Sequence, residues 1–222
     1  MVLLPAIMAL LFPPAGPAAV AHAHGPVTPP VVDEVVALHT SAGLTDVLAL
    51  DAFRAAYESA CERSPDTRVL AVADMSRPST EKRLVVVDLV KGDLLLHTYV
   101  AHGQGTGELM AEHFGNQEGS HRTSLGLYRV GAEIISPKHG QALLLYGLDP
   151  GLNDRALERE IIVHGADYVS EDFIAAHGRL GRSWGCPAVP RPDMPVLTRL
   201  LADGGLLYVH HPSAGTLEAR AR

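Results

Sequence analysis

Hydrophobic residues recur with two different periods along the chain. Up to Glu62 they return every three or four positions, which predicts helices over Val31–Ala42 and Thr45–Glu62 with Gly43 between them. One face of the second helix carries Leu50, Phe53, Tyr57 and Cys61. From Val69 onward the apolar residues form short runs rich in Val and Leu, separated by turn formers, which is typical of strands.

The strand-like runs extend almost to the end of the chain. They are Val69–Ala73, Arg83–Val90, Asp93–His102, Tyr128–Ile135, Ala142–Leu148, Glu160–His164 and Leu206–His210. Two short helices are predicted between them, Glu171–His177 with Ser170 as its cap and Asp193–Ala202, which ends before a glycine pair. Many short strands with few helices indicate a mainly β sandwich or barrel with an N-terminal helical preface.

Composition narrows the class of protein. The chain has 222 residues, of which 47% are hydrophobic, and this suits one folded domain with a small preface. The net charge is −7, and no cluster of Lys and Arg offers a basic surface to phosphates. The sequence therefore argues against a nucleic-acid partner.

The N-terminus has features of an export signal. Val2–Phe12 is an uncharged apolar run, shorter than the roughly 20 residues that span a bilayer. Ala21–Ala23 reads Ala-His-Ala, which matches a signal-peptide cleavage site, although no basic residue precedes the apolar run. We expect an exported protein of the periplasm or cell envelope, without a membrane span after cleavage. A cytosolic protein with an apolar leader is the alternative.

A cysteine in a glycine-rich loop is the strongest candidate for chemistry. Cys186 follows Ser183, Trp184 and Gly185, in a segment of turn formers that leaves backbone N–H groups free. His164 ends a predicted buried strand upstream. A thiol nucleophile needs a nearby imidazole as its base, and these two residues can meet in space. A hydrogen-bonded core histidine is the alternative for His164.

The other cysteine and the remaining histidines receive structural roles. Cys61 is expected on the buried face of the N-terminal helix, and a Cys61–Cys186 disulfide would remove the nucleophile, so two free thiols are predicted. The 12 histidines lack the spacing and cysteine partners of zinc sites. Neither a metal nor a cofactor is expected.

Several blocks in order resemble one family. His164–Ser170 (HGADYVS) and Gly178–Val189 (GRLGRSWGCPAV) are similar to the L,D-transpeptidase (YkuD-like) signature, in the branch of murein L,D-transpeptidase catalytic domains. The resemblance runs from about Leu48 to His210 and includes Asp74–Arg83, Ala101–Gly107, Phe114–Tyr128 and Tyr146–Arg155. Two positions depart from the general pattern: Trp184 replaces a histidine, and Ala188 replaces Asn or Arg.

The resemblance implies a fold and a division of the chain. The fold is a YkuD-like β-sandwich of mixed sheets, with the site at a sheet end. The chain then divides into a signal peptide (1–23), a Pro-rich linker with a short helix (24–44), an N-terminal helix that packs on the domain (45–66), the catalytic domain (67–212) and a C-terminal tail (213–222).

The resemblance also implies an activity. Cys186 would attack the diaminopimelate carbonyl of a peptidoglycan tetrapeptide stem, expel D-alanine and pass the acyl group to a second stem, which forms a 3→3 cross-link. His164 would be the acid–base, with its second nitrogen held by a backbone carbonyl and without need of Asp167. Hydrolysis by an L,D-carboxypeptidase or murein-trimming enzyme, and a non-catalytic wall-binding domain, are the alternatives.

Further site residues follow from their positions near the nucleophile. The N–H groups of Gly185 and Cys186 are candidate oxyanion donors, and Ser183 is expected to orient the loop or to donate as well. The remaining predicted substrate-binding residues are Arg182, Arg179, Trp184, Tyr168 and Gly165. The arginines would hold stem carboxylates, and Trp184 is either a wall of the pocket or a core anchor. Asn116, Ser120 and Ser124 lie in a polar loop that could cover the cleft.

Overall fold

The computed structural model describes residues 33–214. The predicted signal peptide (1–23), residues 24–32 of the predicted linker and nearly all of the predicted C-terminal tail (213–222) lie outside the described residues. Those three predictions therefore remain predictions.

Within the described residues the chain is mainly β. The strands are β1 (Val69–Asp74), β2 (Leu84–Asp88), β3 (Asp93–Thr98), β4 (Gly126–Ser136), β5 (Gly140–Gly147), β6 (Ile162–Ala166), β7 (Ala188–Pro190) and β8 (Leu206–His210). The helices are α1 (Glu34–Ser41), α2 (Leu50–Arg63), α3 (Glu171–His177) and α4 (Met194–Leu201), with a 3₁₀ turn over Arg191–Asp193 before α4. The predicted mainly β fold with mixed strands and a few short helices is confirmed.

The strands form one continuous mixed sheet in the order β3-β2-β1-β8-β4-β5-β6-β7. Two pairs are parallel, β1 with β8 and β6 with β7, and the other pairs are antiparallel. The register of the long strand β4 shifts between Val130 and Glu133, where it pairs with β5. A shift of this kind bends a strand and increases its twist, which lets one sheet enclose a core.

Both faces of the sheet are covered by hydrophobic packing. In β1, Ala71 and Ala73 belong to the cluster that contains α4, whereas Leu70 and Val72 belong to the cluster that contains α2. Successive side chains of a strand point to opposite faces, so a strand buried on both faces is apolar at consecutive positions. This explains why β1 reads as a continuous apolar run.

The N-terminal helices pack on one of these faces. The buried residues of α2 are Ala52, Phe53, Ala56 and Ala60, and α1 begins after Asp33, whose carboxylate accepts from the N–H of Val35 at 3.0 Å. Cys61 is exposed, one position beyond the buried stripe, so its predicted burial is wrong. Both thiols are free, as predicted.

The edge of the sheet differs from the prediction in a way that matters for the site. His164 lies in the middle of β6 instead of at the end of a strand, because β6 continues through Ala166 to pair with β7. The three-residue strand β7 was not predicted. Its parallel register places Ala188 beside His164, and Ala188 follows Cys186 closely in the chain.

Candidate active site

Cys186 and His164 line the same cavity, which has a volume of about 740 Å³. Three segments form its walls: the end of β4 with the turn that follows it (134–139), the residues that enter β6 (159–162) and the nucleophile loop (182–186). The predicted pair is therefore brought together by the register of β5, β6 and β7 at the edge of the sheet.

The imidazole of His164 is held in one orientation by its own strand. Only 1% of the residue is exposed, and Nδ1 lies 3.2 Å from the carbonyl oxygen of Gly165. A carbonyl accepts, so Nδ1 carries the proton and Nε2 carries the lone pair. Asp167 instead pairs with Arg191 at 2.5 Å, so the carboxylate is engaged away from the imidazole.

Burial also sets the charge of His164. The pKa of the imidazole is lowered to about 4, mainly by burial and to a smaller extent by His139, Arg191 and Lys138, while the Gly165 carbonyl acts in the opposite direction. The ring is therefore neutral at pH 7. Gly165 does not belong to the residues that line the cavity. Its carbonyl holds His164, and its contact with substrate stays a prediction.

The thiol of Cys186 is half-buried at the cavity wall and donates to the carbonyl oxygen of Glu160 at 3.8 Å. Burial raises its pKa above the ordinary value of 9.0, while the N–H groups of Ile162 and Cys186 and the charges of Arg159 and Lys138 act in the opposite direction. Within residues 33–214 no hydrogen bond joins Cys186 to His164. The resting pair is thus a neutral thiol beside a neutral imidazole.

Two hydroxyl groups hold the peptide planes on either side of Cys186. Ser183 Oγ donates to the carbonyl of Cys186 at 2.6 Å, and Thr123 Oγ1 donates to the carbonyl of Gly185 at 3.1 Å. Thr123 Oγ1 also accepts from the N–H of Gly103 at 2.9 Å. The predicted orienting role of Ser183 matches this geometry, and Thr123 is a partner that sequence reasoning missed.

The two candidate oxyanion donors differ in availability. The N–H of Gly185 already donates to Ser183 Oγ at 3.1 Å, and its role as an oxyanion donor stays a prediction. The N–H of Cys186 is left as the backbone donor beside the thiol. Gly185 has φ of +124°, and a Cβ there would lie 3.0 Å from the carbonyl oxygen of Arg122, so the loop requires glycine.

A neighbouring segment fixes the loop from outside. Ala101 and Ala188 exchange backbone hydrogen bonds of 2.8 and 3.3 Å, and the N–H of Ser183 donates to the carbonyl of His102 at 3.1 Å. The ring of His102 lies 2.8 Å from the buried guanidinium of Arg83. Burial lowers the pKa of His102 to about 4, so a neutral ring accepts from Arg83.

Both predicted arginines pair with the same carboxylate. Arg179 and Arg182 both pair with Glu108, at 2.9 and 2.7 Å. Arg182 lines the cavity, whereas Arg179 does not, and the substrate contact of Arg179 stays a prediction. Arg159, which was not predicted, also lines the cavity. Its positive charge acts to lower the pKa of the Cys186 thiol.

Both predicted aromatic residues lie in the cavity wall. Tyr168 is half-buried, and burial raises the pKa of its hydroxyl. Trp184 is 63% exposed, so the alternative of a core anchor is wrong. Its ring stacks on His121 at 5.2 Å between centroids, and Lys138 Nζ lies 4.0 Å from the centre of the ring.

The β4–β5 turn was missed by sequence reasoning, although it forms a wall of the cavity. His139 stacks on His164 with ring centroids 3.8 Å apart. The polar loop expected to cover the cleft lies elsewhere: Asn116 and Ser120 line a separate cavity, and Ser124 is buried against Arg159. The pairing of Ala142 with His164 is what brings the turn to the site, and a single sequence does not display that register.

Two properties of the described residues bear on ligands and membranes. Among residues 33–214 no group of three or more His, Cys, Asp or Glu side chains is placed to hold a metal ion. None of the helices in that range combines the length and apolar character needed to cross a bilayer.

Comparison with known protein families identifies one match. Residues 44–210 match the family described as L,D-transpeptidase catalytic domain, which is most of the chain. A search of curated proteins found no significant match.

Several solved structures are similar at low identity. An L,D-transpeptidase from Mycobacterium smegmatis shares 14% identity over 65% of this chain and 59% of its own, with a TM-score of 0.42. L,D-transpeptidase 3 from Mycobacterium tuberculosis, in complex with a faropenem-derived adduct, shares 15% identity over 65% of this chain and 60% of its own, with a TM-score of 0.43. A fragment of the L,D-transpeptidase from Xylanimonas cellulosilytica shares 15% identity over 80% of this chain and 93% of its own, with a TM-score of 0.39. The chain thus spans about three fifths of the mycobacterial proteins.

Proposed function

The chain belongs to the L,D-transpeptidase catalytic domain family, and from that premise we propose that it is a peptidoglycan L,D-transpeptidase with Cys186 as its nucleophile. One observation carries the proposal: Cys186 and His164 share one cavity, and Gly165 fixes the imidazole tautomer that leaves Nε2 free to accept a proton. The substrate is a tetrapeptide stem with diaminopimelate at its third position.

The first step is general-base attack. Because the pKa of His164 is about 4 and that of Cys186 is raised, the thiol keeps its proton until a substrate is bound. The thiol turns from the Glu160 carbonyl towards His164, Nε2 takes the proton, and sulfur attacks the diaminopimelate carbonyl. The N–H of Cys186 donates to the resulting oxyanion.

Collapse of the tetrahedral intermediate completes acylation. The carbonyl re-forms, the carbon–nitrogen bond to D-alanine breaks, and the proton held by His164 passes to the leaving amine. A thioester between Cys186 and the stem remains. Both proton transfers use the same imidazole, so no second acid is required.

Deacylation decides the product. The amine of a second stem attacks the thioester, His164 accepts its proton, and the thiol is regenerated as the amide of a 3→3 cross-link forms. Attack by water instead releases a tripeptide, which is the outcome of an L,D-carboxypeptidase. A wall-binding domain without activity would leave the stem intact.

Export is part of the proposal because the substrate lies in the cell wall. The apolar run and the Ala-His-Ala site near the N-terminus support it. Mass analysis of the protein from the envelope fraction is expected to show a start near His22 or His24. Retention of Met1 would contradict the signal peptide.

The experiment that tests the activity uses purified disaccharide tetrapeptide and the mature protein, which is expected to begin near His22 or His24. Mass spectrometry of the products is expected to show free D-alanine together with a 3→3 cross-linked dimer. Tripeptide without dimer would replace the transpeptidase by the hydrolytic alternative. Unchanged tetrapeptide, with the protein folded, would contradict enzymatic function.

A further inference from the structure

Three cationic side chains line the active-site cavity, and two of them are already engaged by protein oxygens. Arg182 pairs with Glu108 at 2.7 Å and also donates to the carbonyl of Gly107 at 3.1 Å. Arg159 donates to the carbonyls of Gly115 and Arg122 and to a serine hydroxyl. Both guanidinium groups are therefore held in place by protein oxygens.

Lys138 differs from both arginines. Its ammonium lies 4.0 Å from the centre of the Trp184 ring, and within residues 33–214 no carboxylate lies at ion-pair distance from it. A cation held over an aromatic face keeps N–H donors directed away from the ring. Trp184 is itself stacked on His121, which holds the indole ring in place beneath the lysine at the cavity wall.

The position of Lys138 relates it to the leaving group. Its neighbour His139 stacks on His164 with ring centroids 3.8 Å apart. The positive charge of Lys138 acts to lower the pKa of both the Cys186 thiol and the His164 imidazole, so the ammonium is close to both groups. The scissile bond must lie between those two groups. The amine that His164 protonates belongs to the leaving D-amino acid, and the C-terminal carboxylate is attached to the same α-carbon.

We propose that Lys138, supported by the face of Trp184, binds the C-terminal carboxylate of the leaving D-amino acid. This rests on the proposed function and adds a rule of specificity: the donor must be a stem that ends in a free carboxylate.

The same contact explains why an indole can stand where the family usually has histidine. An indole offers a large face to a cation and no group that exchanges protons at neutral pH. Trp184 then acts on substrate through Lys138, and His164 remains the acid–base. Arg179 and Arg182, bound to Glu108, are not needed for this carboxylate.

The test compares two donors that differ only at the C-terminus, a tetrapeptide stem and its C-terminal amide. The wild type is expected to prefer the free acid in kcat/KM by about tenfold to a hundredfold, the usual scale of one charge-assisted hydrogen bond. Lys138→Met should reduce kcat/KM for the acid by a similar factor and leave the amide within about threefold, so that the preference disappears. The ratio of the two donors cancels any effect of Lys138 on the thiol or the imidazole.

Matched controls make the outcome specific. Lys82 lies over the ring of Tyr99 at 5.9 Å and does not line the cavity, so Lys82→Met should keep the acid preference. Equal turnover of acid and amide by the wild type, or an unchanged preference in Lys138→Met, would overturn the lysine contact while the activity stands. Turnover of neither donor by the folded wild type would remove the proposed function and the contact with it.

Discussion

The imidazole rings of His139 and His164 are stacked, with centroids 3.8 Å apart and planes 28° from parallel. His139 lies in the turn between β4 and β5, so this turn touches the proposed acid–base directly. Burial lowers the pKa of His139, and Lys138 and Arg191 lower it further. Both rings are therefore neutral at pH 7, and the stack shields His164 from water.

Removal of this stack should change the pH dependence of the reaction. His164 must be neutral to act as a base, so kcat/KM is present above its pKa and is lost as the pH falls through about 4. In His139→Ala, water reaches His164, and the acidic limb should move from about pH 4 towards the ordinary value of 6.5. The measurement is kcat/KM between about pH 3.5 and about pH 8, a range that includes both the lowered and the ordinary pKa of histidine.

A matched control exists on the surface. His177 stacks on Phe173 at 4.0 Å and is exposed, so His177→Ala should keep the wild-type profile. A His139→Ala profile identical to that of the wild type would show that the stack does not set the pKa of His164.

Thiol alkylation tests the neutral state of the pair. Only a thiolate reacts with iodoacetamide, and burial raises the pKa of Cys186 above 9.0. In a Cys61→Ser background, the rate of Cys186 alkylation should keep rising with pH up to and beyond about 9. A rate that reaches its plateau near neutral pH would instead indicate a thiolate–imidazolium ion pair and would contradict the general-base account.

Thr123 is expected to position the oxyanion donor. A peptide unit is planar, so the hydroxyl that holds the Gly185 carbonyl also sets the direction of the Cys186 N–H. Thr123→Val keeps the volume, leaves the carbonyl of Gly185 and the N–H of Gly103 without their partner, and should lower kcat by about tenfold to a hundredfold. It should also cost roughly 1–3 kcal/mol of unfolding free energy.

Thr123→Ser is the control, because it keeps the hydroxyl and removes only a methyl group. We expect it to recover most of the kcat lost in Thr123→Val, with similar KM values for both. If the serine variant is as slow as the valine variant, packing of the methyl group matters instead of the hydrogen bond.

Substitutions of Cys186 and His164 should reduce activity far more than substitution of Cys61. Cys186→Ala is expected to abolish turnover, and His164→Ala to reduce kcat by about 10²–10⁴-fold, the range of a positioned acid–base group. Cys61 is exposed on α2, so Cys61→Ala should leave the rate within about threefold. Loss of activity in Cys61→Ala as severe as in Cys186→Ala would contradict this division of roles.

Much of the fold could be predicted from hydrophobic periodicity, because most strands are longer than four residues and are buried on at least one face. β7 was missed because its three residues carry too short a pattern. The register of β6 with β7 was missed with it, and so was the position of His164 in mid-strand. These features depend on pairing between distant segments, which the local pattern does not contain.

The site shows the same division. Cys186 and His164 could be proposed because reactive residues in a glycine-rich setting have a local signal. Arg179 was assigned to the site because it is close to Cys186 in sequence, yet Glu108 holds it outside the cavity wall. Thr123 and His139 have no local signal, since a loop and a hairpin turn bring them to the site from distant parts of the chain.

The mass of the acyl-enzyme tests most directly whether Cys186 is the nucleophile. The wild type is mixed with a tetrapeptide donor without an acceptor, quenched in acid and measured as intact protein, then digested to locate the adduct. Covalent catalysis by Cys186 predicts a mass increase equal to the tripeptide stem less one water, placed on Cys186, together with free D-alanine, and no adduct in Cys186→Ala. Release of D-alanine without an adduct on Cys186, or an adduct on another residue, would contradict it.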